Sequence, residues 1–400
     1  MSLVTERAPL AMTPAQRGRG ILPLACLVVF MAQMATTVYL PSLPEVARDL
    51  ALRQSQVELS ISLFVLAAAL PLLFWGRAAD AYGRRAPLLG SLALFLLSSL
   101  GLAFCTTLTQ LLCLRVVQGM AAGGATIVGR ILVRDYWQGN ELARRLSLLS
   151  MAFICALGGG QFVGGLIARY AHWPLGFGLM ALVALLALGL TLAVPIEPVA
   201  TAKADAGWHA VRCLLARRRY VLPACVGGLG YAVLVTLQES SPFVFRHDFS
   251  LGAAAFGSLG LLFALSYLAG SLRVHRQALR LGAPRLLVRG ALQVGLAGLA
   301  IWLLMGVWHA PGLVGLLLFV LLYGLAVFGQ AVLFPNSMAL AVDEGRDQGG
   351  MAMALCGFLQ QMLAGAAGML ALVLPHGAGW AVAVCCLGLA TWWLARLAVK

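Results

Sequence analysis

Gly76-Arg77-Ala78-Ala79-Asp80-Ala81-Tyr82-Gly83-Arg84-Arg85-Ala86-Pro87 is a charged stretch set between two long apolar runs. Arg77, Asp80, Arg84 and Arg85 crowd into it, and the residues adjoining it on either side carry no charge. Apolar runs long enough to cross a bilayer, joined by so short a polar segment, read as two membrane helices with a tight loop held at the surface between them. Gly83 permits a turn that a Cβ would oppose, and Pro87 suits the first turn of the helix that follows.

Working outward, the rest of the chain agrees. Hydrophobic residues make up 61% of it and charged residues only 10%, and the mean hydropathy is +0.92. A soluble domain carries about 25% charged residues, so the composition describes a polytopic membrane protein. At 400 residues the chain has room for about twelve helices and for no large soluble catalytic domain. The net charge of +14 is scattered one loop at a time, so no nucleic-acid partner is expected. The nine cysteines show no ligand spacing and read as small buried hydrophobes.

Apolar windows place spans near 21–41, 57–76, 87–106, 109–131, 147–169, 175–194, 220–239, 253–272, 285–305, 312–334, 350–373 and 379–397. The first is expected as a retained span, because the run after Arg19 continues past Gln33 without a small-residue cleavage site. The interval 195–219, with Pro195, Pro198 and Arg217-Arg218-Arg219, reads as a cytoplasmic linker. This gives an N-terminal segment 1–20, a six-helix half 21–194, the linker, and a second half 220–400. With the N-terminus inside, 21 of the 28 Lys and Arg fall in cytoplasmic segments and four in outer ones. Both termini are therefore expected on the cytoplasmic side. The halves repeat faintly: Gly83-Arg84-Arg85-Ala86-Pro87-Leu88-Leu89 is echoed by Gly282-Ala283-Pro284-Arg285-Leu286-Leu287. Such parallel duplication is a transporter trait, with the substrate site near mid-membrane between the halves.

Taken with Arg115-Val-Val-Gln118-Gly119 and its tail Arg130-Ile-Leu-Val-Arg134-Asp135, the hairpin resembles the signatures of the major facilitator superfamily, and of its drug:proton antiporters in particular. Gln33 to Pro41, Ser241-Pro242-Phe243-Val244 and Leu333-Phe334-Pro335 are similar to the Bcr/CflA and EmrD-like multidrug resistance branch. The resemblance implies an all-α fold of twelve transmembrane helices in two pseudo-symmetric bundles. It also implies a gating motif of Gly76, Asp80, Gly83, Arg84, Arg85, Arg134 and Asp135, with Asp80 latching the start of span eleven near Gly349-Gly350. The chain departs from the branch in three places. Thr37 stands where many members have an Asp, Gln161 replaces a proline in Gly158-Gly159-Gly160-Gln161-Phe162-Val163-Gly164-Gly165, and Trp173 is followed by Pro174 rather than Arg.

Read as physical chemistry, Arg115 lies within a span, where a charge either faces a wet cavity or snorkels to the headgroups. The first is the expectation for Arg115 and the second for Arg130 and Arg289. Gly119, Gly123, Gly158, Gly159, Gly160, Gly164 and Gly165 are expected to let helices pack closely. Polar or aromatic residues set in apolar runs are the substrate-cavity candidates: Gln33, Thr36, Tyr39, Gln118, Tyr231, Gln238, Tyr267, Phe334, Gln360 and Gln361. Glu239, at the outer end of span seven, is the one acid expected within a span, and it could pair with Arg115 to couple protons. All six histidines read as loop residues.

No paired carboxylates, nucleophile with base, or phosphate-binding loop is present, so neither an enzyme nor an ATP-driven pump is expected. The resemblance implies a monomeric exporter in a bacterial inner membrane, moving amphipathic small molecules by alternating access. It would draw on a proton gradient and need no cofactor. A carrier of one metabolite on the same fold, exporting or importing, is the alternative.

Overall fold

The computed structural model describes residues 20–137, 139–196, 208–309, 312–345, 350–371 and 379–399. Among these residues there is no strand. The crossings are α1 Ile21–Thr37, α2 Gln54–Ala69, α3 Arg85–Ala103, α4 Leu108–Tyr136, α5 Gly139–Tyr170, α6 Pro174–Ala193 and α7 Arg218–His247. Next come α8 Ala253–Ala278 and α9 Arg280–Trp308, then α10 Gly312–Glu344, α11 Gly350–Ala371 and α12 Gly379–Ala398. Eleven of the described helices are long and apolar enough to cross a membrane. The twelfth crossing, α2, is short and is continued by a second helix, Leu72–Ala81.

Local chemistry explains where these helices start and stop. Arg53 N–H donates to Gln56 Oε1 to open α2, and Thr107 Oγ1 accepts from Gln110 N to open α4. Pro174 sits at the first position of α6, where no N–H is needed. Pro71 divides the expected span 57–76 in two: it cannot donate to the preceding turn, and it begins the second helix, with Trp75 N bonding to its carbonyl at 2.7 Å. The charged stretch that opened the reading is thus mostly helix to Ala81. Its turn is confined to Tyr82–Arg84, where Gly83 has φ 78°.

Two further boundaries move. α7 runs on through Pro242 to His247, so Ser241-Pro242-Phe243-Val244 does not close it. α8 and α9 are almost one continuous helix, with the break in helical backbone at Gly282, in the first turn of α9, where φ is 73° and ψ 159°, and His275 lies within its helical length.

Twelve crossings return the C-terminus to the face from which α1 starts. That terminal face also carries the Gly83 turn and the helix Trp208–Ala216, whose Val211 and Leu214 pack on Tyr220, Ala352, Leu355 and Cys356. The opposite, distal face carries the short helix Leu43–Asp49 and the α7–α8 turn. Linker residues 197–207, the segment 1–19 and residues 346–349 before α11 lie outside the described residues.

Apolar side chains point outward as well as inward. Leu182, Leu185, Leu186, Leu321 and Trp393 are exposed, as expected where hydrocarbon rather than water is the solvent. Cys113, Cys155 and Cys386 share that outward placement, so the expectation that the cysteines are buried within the protein holds for Cys105, Cys356 and Cys385 but not for these three. Arg130 and Arg289 are also exposed.

Candidate functional site

The two halves meet closely along two seams in the distal part of the molecule. In the first, α5 lies close against α8, with glycines at the points of nearest approach. A Cβ on Gly165 would sit 2.7 Å from the Ala253 carbonyl oxygen, and one on Gly158 would sit 2.7 Å from Ala264 Cβ. Such contact is open only to glycine. Gln161, which replaces the expected proline, lies between them, and its Nε2 donates to Phe256 O at 3.1 Å. Gly160 and Gly164 instead pack on Thr37 and Val38 of α1, while Gly159 has nothing close to it. Gly119 and Gly123 make a similar close contact inside the first half, against α2 at Phe64, Ala67 and Ala68.

The second seam joins α2 to α7 and α11. Ser62 Oγ donates to Glu239 Oε1 at 2.5 Å, one half bonding to the other. A Cβ on Gly368 of α11 would meet both Ser62 Oγ and the Glu239 carboxyl oxygens, and one on Gly365 would meet Leu66. Glu239 is only 1% exposed. The sequence reading placed it at the outer end of its span. Because α7 continues for two more turns, it lies well inside, and Pro242 has no N–H to offer the carbonyl of Gln238.

A second buried acid went unnoticed. Glu58, on α2 one turn before Ser62, is 5% exposed and accepts from Gln54 Nε2 at 2.7 Å. The expectation that Glu239 is the one acid within a span is therefore corrected. The signal that could have found Glu58 is the spacing of Gln54, Glu58 and Ser62, one polar residue per helical turn in an otherwise apolar run.

Arg115 is not a cavity residue. It is 0% exposed, with Nη1 donating to Ala35 O at 3.0 Å and to Gln118 Oε1 at 2.8 Å. Its guanidinium carbon lies 4.2 Å from the Tyr39 ring centroid, 5.1 Å from that of Phe64 and 5.5 Å from that of Phe177. Three electron-rich faces and two oxygen acceptors thus stand in for a counter-ion. Gln118 passes the network on to Ser99 at 2.8 Å, and Tyr39 OH meets Ser60 Oγ. Thr36 is likewise turned back onto Gln33 O. The expected pairing of Arg115 with Glu239 does not occur: each has its own partners, Arg115 within the first half and Glu239 across the seam.

The remaining cavity candidates fall into two groups. Tyr231 of α7 stacks edge-on to Phe334 of α10 at 6.0 Å, and Tyr267 of α8 lies 5.8 Å from Phe153 of α5. Tyr231 and Tyr267 are also near enough to interact electrostatically. These half-buried aromatics come from α5, α7, α8 and α10, and Gln33 of α1, Gln238 of α7 and Gln361 of α11 are half-buried as well. Gln360 is instead fully buried and donates to Ser337 Oγ at 3.1 Å.

On the terminal face, Arg84 Nε meets Asp135 Oδ2 at 2.8 Å, with the side chains 4% and 8% exposed. Arg84 Nη1 also holds Ala79 O, and Arg85 Nη2 holds Leu192 O. This ties the α2 extension, α3, α4 and α6 together. The side chain of Asp80 and the surroundings of Gly76 lie outside the described residues, and Arg134 is exposed at the end of α4.

A family profile described as Major Facilitator Superfamily matches residues 25–369. The chain is a member of the major facilitator superfamily. Among solved structures, this family member superimposes on a D-xylose-proton symporter with TM-score 0.77 at 16% identity, covering 94% of this chain and 97% of that one. It matches a peptide transporter crystallised with sulfate with TM-score 0.76 at 14% identity, covering 97% of each. At such identities the likeness is one of fold. An uncharacterized MFS-type transporter of Bacillus subtilis (strain 168), YdgK, is 28% identical over 86% of this chain and 87% of its own length. Multidrug resistance protein D of Escherichia coli (strain K12) is 31% identical over 40% of each chain. A bicyclomycin resistance protein homolog of Haemophilus influenzae is 31% identical over 38% of each. The chain thus aligns with about two fifths of the length of these two resistance proteins. It is a membrane transporter rather than an enzyme.

Proposed function

We propose that this transporter exports amphipathic small molecules across a bacterial inner membrane in exchange for protons, one half rocking against the other. The halves are residues 21–194 and 220–400, joined by the linker 195–219, with both termini cytoplasmic and the distal face outward. The two distal seams then close the outer side.

The observation that carries the reading is Glu239, an acid buried on the seam and bonded to Ser62 of the opposite half. Burying a carboxylate without a cation is costly, whereas a neutral carboxyl bonded to a hydroxyl is tolerated. A proton on Glu239 therefore favours closure of the outer side, and its loss favours separation of α2 from α7. That is the coupling an antiporter needs: proton and substrate are bound alternately and each stabilises a different arrangement. Because Arg115 is shut inside the first half, the charge near Tyr231 is set by Glu239 instead. This favours amphipathic cations and neutral compounds over anions.

The test is to reconstitute the purified chain in proteoliposomes, impose a proton gradient, and present ethidium together with neutral and anionic amphiphiles. Accumulation and proton release are recorded for the parent and for Glu239→Gln. Substrate-elicited proton flux that Glu239→Gln abolishes is the expected result. Transport without proton movement would sink the antiport reading and leave a facilitator or a carrier of one metabolite.

A further inference from the structure

Resting on that reading, we propose that Glu58 is a second proton-carrying acid, which takes protons from the distal side and delivers them to Glu239 through Ser62. The observation is a ladder on one face of α2. Gln54 is exposed at the distal end, Glu58 is buried one turn deeper and held by Gln54, and Ser62 lies a turn deeper again, bonded to Glu239. Residues four apart on a helix stand over one another, about 6 Å per step. The ladder thus leads from the surface to the acid on the seam, and Gly368 leaves its inner end unobstructed.

The surroundings leave the two acids to each other. Of the elements packed on α2, α4 offers Arg115, which is turned into the Tyr39, Phe64 and Phe177 rings. The short helix 43–49 offers Glu45, Arg48 and Asp49, of which Arg48 and Asp49 pair with each other at 3.4 Å. α7 offers Glu239 itself, with Arg246 and His247 exposed at its distal end, and α11 carries no charged residue. Glu58 and Glu239 are near enough to interact electrostatically. One proton shared along Glu58, Ser62 and Glu239 relieves both burials at once, since two ionised carboxylates so placed repel each other.

In the transfer, the Glu58 carboxyl swings from Gln54 to Ser62, its O–H bond breaks and its hydrogen passes to Ser62 Oγ. The hydrogen already on Ser62 passes to the Glu239 carboxylate. Glu58 is left anionic, Glu239 neutral and Ser62 unchanged, and Glu58 is then reprotonated beside Gln54.

The experiment uses the full chain in proteoliposomes with ethidium as probe, plus infrared spectra of the protonated-carboxyl band across pH. Glu58→Gln is expected to keep ethidium exchange at equal pH near the parental rate while proton release falls by about tenfold or more. In the infrared, Glu58→Gln should remove one component of the band and shift the other, because the acids titrate together. Parental proton release in Glu58→Gln, or an unaltered second component, overturns the proposal. If Glu239→Gln abolishes coupling and Glu58→Gln does not, this inference alone falls. If neither variant changes coupling, the antiport reading falls with it. Should Glu58→Gln not elute as a monodisperse peak, Glu58→Asp decides. Its acid is retracted from Ser62, so slowed proton release with intact exchange supports the relay, and a parental rate overturns it.

Discussion

Ser62 and Glu239 are 177 positions apart in sequence and joined by one hydrogen bond, with the serine as donor. This bond crosses between the two halves, which part in the proposed cycle, and it lies beside glycines that keep other side chains away. Ser62→Ala would leave the buried carboxyl without its donor, weakening the closed distal arrangement by about 1–3 kcal/mol. Thiol labelling of Leu66→Cys, in a cysteine-free background and from the distal side, is expected to become about tenfold faster or more in the Ser62→Ala variant. An unchanged rate would mean the bond does not hold the seam.

Glycines of the two kinds of seam should fail differently. Gly165→Leu pushes α5 off α8, between the halves, and is expected to widen distances between spin labels on the distal loops while the protein stays folded. Gly119→Leu pushes α4 off α2, inside one half, and should instead lower thermal stability by about 1–3 kcal/mol, as overpacking does. Equal loss of stability in both would contradict the assignment of the seams.

Breaking the Arg84 to Asp135 pair should be costly. Asp135→Asn is expected to destabilise by roughly 3–5 kcal/mol, since it takes a carboxylate away from a buried guanidinium. Combining it with Arg84→Met should recover part of that loss in a double-mutant cycle measured by thermal unfolding. Strictly additive losses would show that the two groups do not interact.

Arg115→Lys is a test of the aromatic enclosure. A lysine ammonium cannot stack its plane on Tyr39 or hold Ala35 O and Gln118 Oε1 together. A drop of several degrees in Tm is expected, with ethidium binding by the folded fraction unchanged. Selective loss of binding at parental Tm would return Arg115 to the substrate cavity.

Hydropathy alone located nearly every crossing, because in lipid the backbone leaves only helices to choose from. Gly83 and Pro87 were equally plain, since their backbone chemistry is local. The errors have one physical origin, in that depth and partners are set by helices distant in sequence. Glu58 draws no notice behind Gln54 and Gln56, because nothing along α2 itself tells that it is buried. Glu239 reads as a helix end because Pro242 follows, yet the neighbours of α7 keep it helical for two more turns. The enclosure of Arg115 needs Tyr39, Phe64 and Phe177 from three other spans. No window along α4 contains that information.

In the proposed cycle, the close glycine contact of α5 on α8 bears on how readily the halves part and rejoin. Side chains that interlock must settle into single rotamers each time two surfaces meet, and that ordering opposes closure. Gly158 and Gly165 have no rotamers to lose, so this surface can part and rejoin with little entropic resistance. Alignment on rejoining is then left to a few polar contacts such as Gln161 with Phe256 O. A smooth bearing with sparse detents suits a part that, in that cycle, slides back to the same place at every turnover.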